Sequence, residues 1–221
     1  MGNESFLQRQ GARMMEEHGF LGVPSNTFEE AGRNQFQTLI GLGILPDSKV
    51  LDIGCGVLRL AYWLIHFLKE NGYYGIEPAQ NRVELGKQYL FDQSLLMTKR
   101  PSFDFNEDFD SSVFPVLFDF FVAGSIWTHC GKTSIQKMLD HFQNQSTENG
   151  IFLASYIPAK SENEEYLGDS WVGTSHKSSV AGCIKHSKAW IEEACRKRNL
   201  KLTELPFEAF DSQRWLKVER V

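Results

Sequence analysis

Apolar residues along this chain follow two rhythms that take turns. Short, nearly continuous apolar runs appear at residues 50–53, 73–77, 117–122 and 151–157. Runs of this length suit strands buried on both faces of a parallel sheet. Between them, apolar positions recur every three to four residues, the spacing of an amphipathic helix. Segments 59–68, 82–90 and 132–143 read this way, the last through Ile135, Met138, Leu139 and Phe142. Asn81 stands where an N-cap of the second helix is expected. Segment 188–199 predicts another helix, with Trp190, Ile191 and Ala194 facing inward. Two more strands, 200–205 and 214–218, flank a turn at 206–212 that is short enough for antiparallel pairing.

The remaining segments are less regular. Residues 5–18 predict a helix carrying Phe6, Met14 and Met15, broken by Gly19, Gly22 and Pro24. It is expected either to cap the site or to form a mobile tail. A short helix follows over 34–42, turning Phe36, Leu39, Ile40 and Gly43 to a core, and Pro46-Asp47 turns into the first strand. Segment 95–101 has no clear period. Residues 102–108 read as a strand entering an acidic turn, and Glu148-Asn149-Gly150 as a turn before the 151–157 strand. Residues 158–187 break the rhythm with a long polar stretch. A connection of that length is functional or disordered, so a substrate-binding insertion or lid is expected, with a solvated loop as the alternative.

Candidate chemistry begins at Val50-Leu51-Asp52-Ile53-Gly54-Cys55-Gly56. A buried strand ends in an acidic residue, then a glycine turn opens a helix. Glycine permits positive φ and close approach of a ligand to the backbone. The helix start presents free N–H groups and partial positive charge. Glu77, at the end of the next strand, lies 21 residues beyond Gly56. That is near the spacing at which an acid accepts hydrogen bonds from ribose hydroxyls. Together these features predict a nucleotide-type shelf at the carboxyl end of a parallel strand.

On those residues the sequence resembles class I S-adenosylmethionine-dependent methyltransferases. Residues 50–56 look like their first motif, Glu77 matches their ribose-binding acid, and Phe118-Asp119-Phe120-Phe121-Val122-Ala123-Gly124-Ser125 looks like their fourth motif. The similarity runs from about residue 49 to the C-terminus. It implies an α/β, Rossmann-like three-layer sandwich whose mostly parallel seven-stranded sheet ends in a C-terminal antiparallel hairpin. It divides the chain into an N-terminal helical cap, 1–44, and a methyltransferase domain, 45–221, with the insertion at about 158–187. It implies S-adenosyl-L-methionine as cofactor, held by Asp52, Gly54, Cys55, Gly56, Glu77 and Ser125, with Asn106 or Glu107 as acceptor for the adenine amino group and Asp104 as a lesser candidate. Leu58 stands where the family has a third glycine, and its side chain is expected to narrow the space beside the methionine part.

His129 lies in Ser125-Ile126-Trp127-Thr128-His129, a stretch similar to one in many bacterial members of the class, where methyl group and acceptor are expected to meet. Its ordinary pKa near 6.5 lets it accept a proton at neutral pH, so it is the leading candidate for a general base. His176, His186 and Asp169 in the insertion are further candidates. His18, His66 and His141 are expected at the surface or in packing.

Composition narrows the alternatives. With 221 residues, the chain can bury one sizeable core. A net charge of −5 and the lack of a basic run disfavour a nucleic-acid partner. Cys55, Cys130, Cys183 and Cys195 form no C-x-x-C pair or zinc spacing, so no metal is expected and free thiols in a cytoplasmic protein are the simple reading. No signal peptide and no apolar run long enough for a membrane span is read in the sequence. The expected activity is methyl transfer to an oxygen or nitrogen of a small molecule or sugar. Two alternatives are a nicotinamide-dependent oxidoreductase, which would want glycine where Arg59 stands, and a non-catalytic cofactor-binding protein. Oligomeric state is not readable from the sequence.

Overall fold

The computed structural model describes residues 5–22, 25–175 and 178–221. Pro24 and His176 lie outside the described residues. Seven strands form one sheet: β1 (Val50–Ile53), β2 (Tyr73–Ile76), β3 (Ser102–Asp104), β4 (Phe118–Ala123), β5 (Ser146–Tyr156), β6 (Leu200–Glu208) and β7 (Arg214–Arg220). Their order is β3-β2-β1-β4-β5-β7-β6. The first five are parallel, whereas β7 runs antiparallel to both β5 and β6. This is the expected parallel sheet closed by a hairpin.

Central strands divide their side chains between two cores. Along β4, Phe118, Phe121 and Ala123 enter one core, while Phe120 and Val122 enter the other. Helices α6 (Lys132–Gln145) and α7 (Lys188–Arg196) cover the first core through Ile135, Met138, Phe142 and Ile191. Helices α1 (Phe6–His18), α2 (Phe28–Gly41), α3 (Arg59–Phe67) and α4 (Gln80–Leu90) cover the second through Met14, Leu39, Leu64 and Val83. Three layers result, with both sheet faces dry, as a parallel sheet requires. No described helix is long and apolar enough to cross a membrane.

Several boundaries differ from the sequence expectation. Helix α2 starts at Phe28, because that ring is wholly buried against Gly11 of α1, where a Cβ would lie 2.3 Å from Phe28 Cγ. Helix α1 is thus packed through Leu7, Gly11 and Met14. Ile40 is 45% exposed rather than inward, and Leu117, 55% exposed, lies before β4. Helix α4 begins at Gln80 with Ala79, not Asn81, at its cap, because the Ala79 N–H donates to Glu77 Oε1 at 3.0 Å. Residues Gln93–Lys99 form α5, set on the surface with no fully buried side chain to give it a period. The expected turn at 148–150 is absorbed into β5: register passes from Phe118↔Ser146 to Phe120↔Ile151, so the extra residues form a bulge.

Candidate functional site

A cavity opens at the carboxyl edge of the sheet beside β1 and β4. There the strand order reverses, the place where open α/β sheets bind ligands. Asp52, Gly54, Cys55, Gly56, Glu77, Glu107, Ser125 and His129 all line it. Asn106 does not.

The turn after β1 is built from backbone hydrogen bonds. Gly54 and Gly56 have φ of +70° and +53°, a region that glycine enters without strain. A Cβ on Gly54 would sit 2.1 Å from Ile126 Cδ1. The N–H groups of Gly54 and Cys55 donate to Ile76 O at 2.8 and 3.2 Å, which ties the turn to the end of β2. Glu77 then accepts from Gly56 N at 3.0 Å through Oε2, while Oε1 takes Ala79 N. Each carboxylate oxygen keeps a second acceptor position. Asp52 is 4% exposed and accepts from Tyr73 Oη at 2.9 Å. Burial pushes its carboxyl up to about 7, against the pull of the Tyr73 hydroxyl and Arg59 and with a further push from Glu77. Burial likewise raises the Cys55 thiol, which therefore stays neutral and packs close to Gly75.

Leu58 does not narrow the cavity. It adopts φ +63° at the N-cap of α3, and its side chain is wholly buried in the helix-side core, facing Gly86 of α4. Glycine would suit this left-handed position best, but the leucine side chain leaves by the core side.

Asn106 is corrected by its own loop. Its Oδ1 accepts from Asp110 N at 2.8 Å and its Nδ2 donates to Asp104 Oδ1 and Asp110 O. The amide therefore closes the turn after β3, and Asp104 serves the same turn. Glu107 and Phe109 reach the cavity instead. Phe109, at φ +60° and nearly buried, was not foreseen.

On the other side, Ser125 lies in the turn after β4 at φ +63°. Its N–H donates to Ser155 Oγ at 2.6 Å, the Ser155 hydroxyl donates to Gln213 Oε1 at 2.7 Å, and Gln213 Nε2 donates back to Ser125 Oγ at 2.7 Å. This ring joins β4, β5 and the β6–β7 turn. His129 stands one turn further on, with Nδ1 2.7 Å from Val172 O and its ring stacked on Trp171 at 5.6 Å between centroids. A carbonyl only accepts, so Nδ1 carries the proton and Nε2 the lone pair in the neutral ring. Burial lowers the His129 pKa from 6.5, against the opposing pull of the Val172 and Gly182 carbonyls.

The 158–187 segment folds onto this turn. Ala159 N donates to His186 O, His186 N to Ile157 O, Ile184 N to Thr128 O and Val172 N to His129 O, each within 3.0 Å. Trp171, Gly173, Thr174 and Ser175 thereby reach the cavity. Two other base candidates do not: His186 is buried with Nε2 on Cys130 O at 3.0 Å, and Asp169 accepts from Thr133 Oγ1 at 2.8 Å at the start of α6. Their hydrogen bonds hold the insertion in place.

Two lining residues, Gln35 and Arg59, were not among the expected site residues. In the sequence Arg59 stands out only as the residue that breaks a dinucleotide fingerprint. Burial brings its guanidinium down to about 10, with Asp52 pushing it back up, so it stays charged at neutral pH.

No protein-family profile matches the sequence. Solved structures match over nearly the whole chain. A magnesium protoporphyrin IX methyltransferase (ChlM) from Synechocystis PCC 6803 with bound S-adenosylhomocysteine (SAH) superposes with a TM-score of 0.62 at 17% identity, over 98% of this chain and 96% of that one. An S-adenosylmethionine-dependent methyltransferase from Clostridium acetobutylicum ATCC 824 gives 0.64 at 12% identity, over 96% and 98%. The glycopeptide N-methyltransferase MtfA complexed with S-adenosyl-L-methionine gives 0.63 at 12% identity, over 86% and 94%. The fold is that of class I S-adenosylmethionine-dependent methyltransferases.

Proposed function

We propose that this protein transfers a methyl group from S-adenosyl-L-methionine to an oxygen or nitrogen atom of a small molecule or sugar. One observation carries the reading: Glu77 and the Gly54–Gly56 turn, brought together by the Glu77 Oε2 to Gly56 N hydrogen bond, share one cavity at the switch point of the sheet. The residues present fit the cofactor. Glu77 offers acceptor positions to two vicinal hydroxyls, Glu107 offers one to an exocyclic amine, and buried Asp52 suits an amino group. The solved neighbours named for S-adenosylmethionine chemistry support the same reading.

When bound, the sulfonium supplies a methyl carbon that is already electrophilic. The protein's task is then alignment and exclusion of water, which accounts for much of the rate in such a reaction. Trp171 and the 173–175 backbone cover the cavity beside His129. His129, neutral at pH 7, takes the acceptor's proton on Nε2. Residues 1–44 act as the cap of the site, contributing Leu21, Gly22 and Gln35 to its wall.

Thermal shift with SAH and with reduced nicotinamide dinucleotide tests the reading. SAH at about 100 times its Kd raises stability by roughly 2.7 kcal/mol, while the nicotinamide leaves the midpoint unchanged. Stabilisation by the nicotinamide alone would sink the proposal.

A further inference from the structure

Residues 169–173 of the insertion form a strap that holds His129. Val172 bonds it twice: the Val172 N–H donates to His129 O at 2.9 Å, and the Val172 carbonyl accepts from Nδ1 at 2.7 Å. Trp171 stacks on the ring, and Gly173 lies so close that a Cβ there would stand 2.4 Å from Nδ1. The strap is itself anchored at its other end. Asp169 Oδ1 accepts from Thr133 Oγ1 at 2.8 Å and from Thr133 N at 3.4 Å. The N–H of the second helical residue is one that an N-cap side chain ordinarily serves. The N-cap of α6 is Gly131, which has no side chain to offer, so the insertion supplies the cap. Gly131 has φ −69° and ψ 174°, extended backbone that any residue adopts. Its conformation therefore does not ask for glycine. Space does, because a Cβ on Gly131 would stand 2.6 Å from both Asp169 Cα and Gly168 O. Gly131 admits the strap onto α6, and Gly173 admits the His129 ring onto the strap.

The tautomer of His129 depends on this placement. In a neutral imidazole the bond made by one nitrogen decides which of the two carries the proton, and a free ring favours Nε2. The Val172 carbonyl reverses that preference and leaves the lone pair on Nε2. Val172 lies three residues beyond Asp169. Tyr166 braces the span between them by donating its hydroxyl to Ser170 O at 2.9 Å. We propose that Asp169 is a positioning residue for His129: by capping α6 from the insertion, it holds the Val172 carbonyl on Nδ1 and keeps Nε2 free to take a proton. The use of that lone pair rests on the methyltransferase reading, whereas the tautomer is a property of the free protein.

Long-range ¹H–¹⁵N NMR of the His129 ring reads the tautomer without any ligand. The ring is assigned by its loss in His129→Asn and recorded at a pH above its titration. In the wild type, Nδ1 gives the resonance of a protonated nitrogen and Nε2 that of a lone pair. Asp169→Ala moves the two resonances towards each other as the Nε2–H form gains population. Gly131→Ala, which obstructs the same contact from the α6 side, moves them in the same direction. Thr133→Val, which deletes the shorter of the two bonds and nothing of the strap, moves them less. Asp169→Asn keeps an acceptor oxygen for Thr133 and restores the wild-type pattern. Glu164→Gln, which breaks the ion pair with Lys185 elsewhere in the insertion, leaves the pattern unchanged. Circular dichroism checks the fold of each variant. A wild-type ring protonated on Nε2, an unmoved ring in the folded Asp169→Ala or Thr133→Val variant, or an equal shift in Glu164→Gln overturns the proposal. Wild-type protein that binds no SAH by calorimetry, with the ring shifting as expected, overturns the methyltransferase reading instead and leaves Asp169 as the residue that sets the tautomer.

Discussion

The two halves of the cavity are held together by different means. The half around Gly54, Gly56 and Glu77 is a backbone construction: successive N–H groups of one turn meet Ile76 O and the Glu77 carboxylate, all within two neighbouring strand ends. The half around Ser125 and His129 depends on side chains and loops from far along the chain, with Gln213, Ser155 and Val172 each fixing one group. A backbone-built half tolerates sequence change wherever the glycines and the acid remain. A half built from distant loops changes shape when any loop changes. The first arrangement suits a constant ligand, and the second suits an acceptor that differs from one enzyme to the next.

The largest effect that would test this contrast is at Glu77. On the proposed reading, replacing it with alanine removes the acceptor for two ribose hydroxyls, and charge-assisted bonds of this kind contribute about 1.5–3 kcal/mol each. SAH affinity should fall roughly 100-fold or more by calorimetry. The same substitution strips Gly56 N and Ala79 N of their acceptor, so urea denaturation should show a loss of about 1–3 kcal/mol. Glu77→Gln keeps one acceptor oxygen and should lie between. Wild-type SAH affinity in the alanine variant would remove Glu77 from the nucleoside half.

The same contrast explains what could be read along the chain. The strand, glycine turn and helix at residues 50–67, and the acid at 77, are local patterns, each visible within a few residues. Four of the strands followed from apolar runs, and the antiparallel end from the short link between the last two. What the sequence did not reveal depends on partners distant in the chain. Arg59 looks like an ordinary helix start until α2 is laid against it, and Gln35 like a surface amide until Gly124 makes room for it. Asn106 and Glu107 are neighbours, and only the bond from Asp110 N decides which of them closes the loop. Helix α5 has no buried stripe for periodicity to detect.

A smaller effect is expected from Gln213→Leu in the other half. It removes the amide that bonds both the Ser125 and Ser155 hydroxyls, in a site where Gln213 is 4% exposed. Losing such buried partners costs about 1–3 kcal/mol, seen as a lower urea midpoint. SAH affinity should change far less than in Glu77→Ala, because the proposed nucleoside contacts lie in the other half. An equal loss of SAH affinity in the two variants would erase the division.

The smallest effect is a titration. His129 is held with its pKa below 6.5, mainly by burial, and His186 is lowered in the same direction for the same first reason. Lowering the pH through 6.5 therefore protonates these rings in the unfolded chain before the folded one, so their contribution makes stability fall with acid down to their folded pKa values. Asp52 opposes them. Its carboxyl, raised from 3.8 to about 7, takes up a proton in the folded protein first, and its contribution makes stability rise as pH drops from 7 towards 3.8. Net stability against pH thus hides both, and the imidazole must be observed directly. The ¹³Cε1 resonance of His129, assigned by its loss in His129→Asn, should titrate with a midpoint below 6.5 in the free protein. A ring with that midpoint is neutral throughout the physiological range, with Nδ1 donating to Val172 O and Nε2 open to a proton. A midpoint at or above 6.5 would mean that the carbonyls around the ring outweigh its burial, and a ring held charged in that way is not the base.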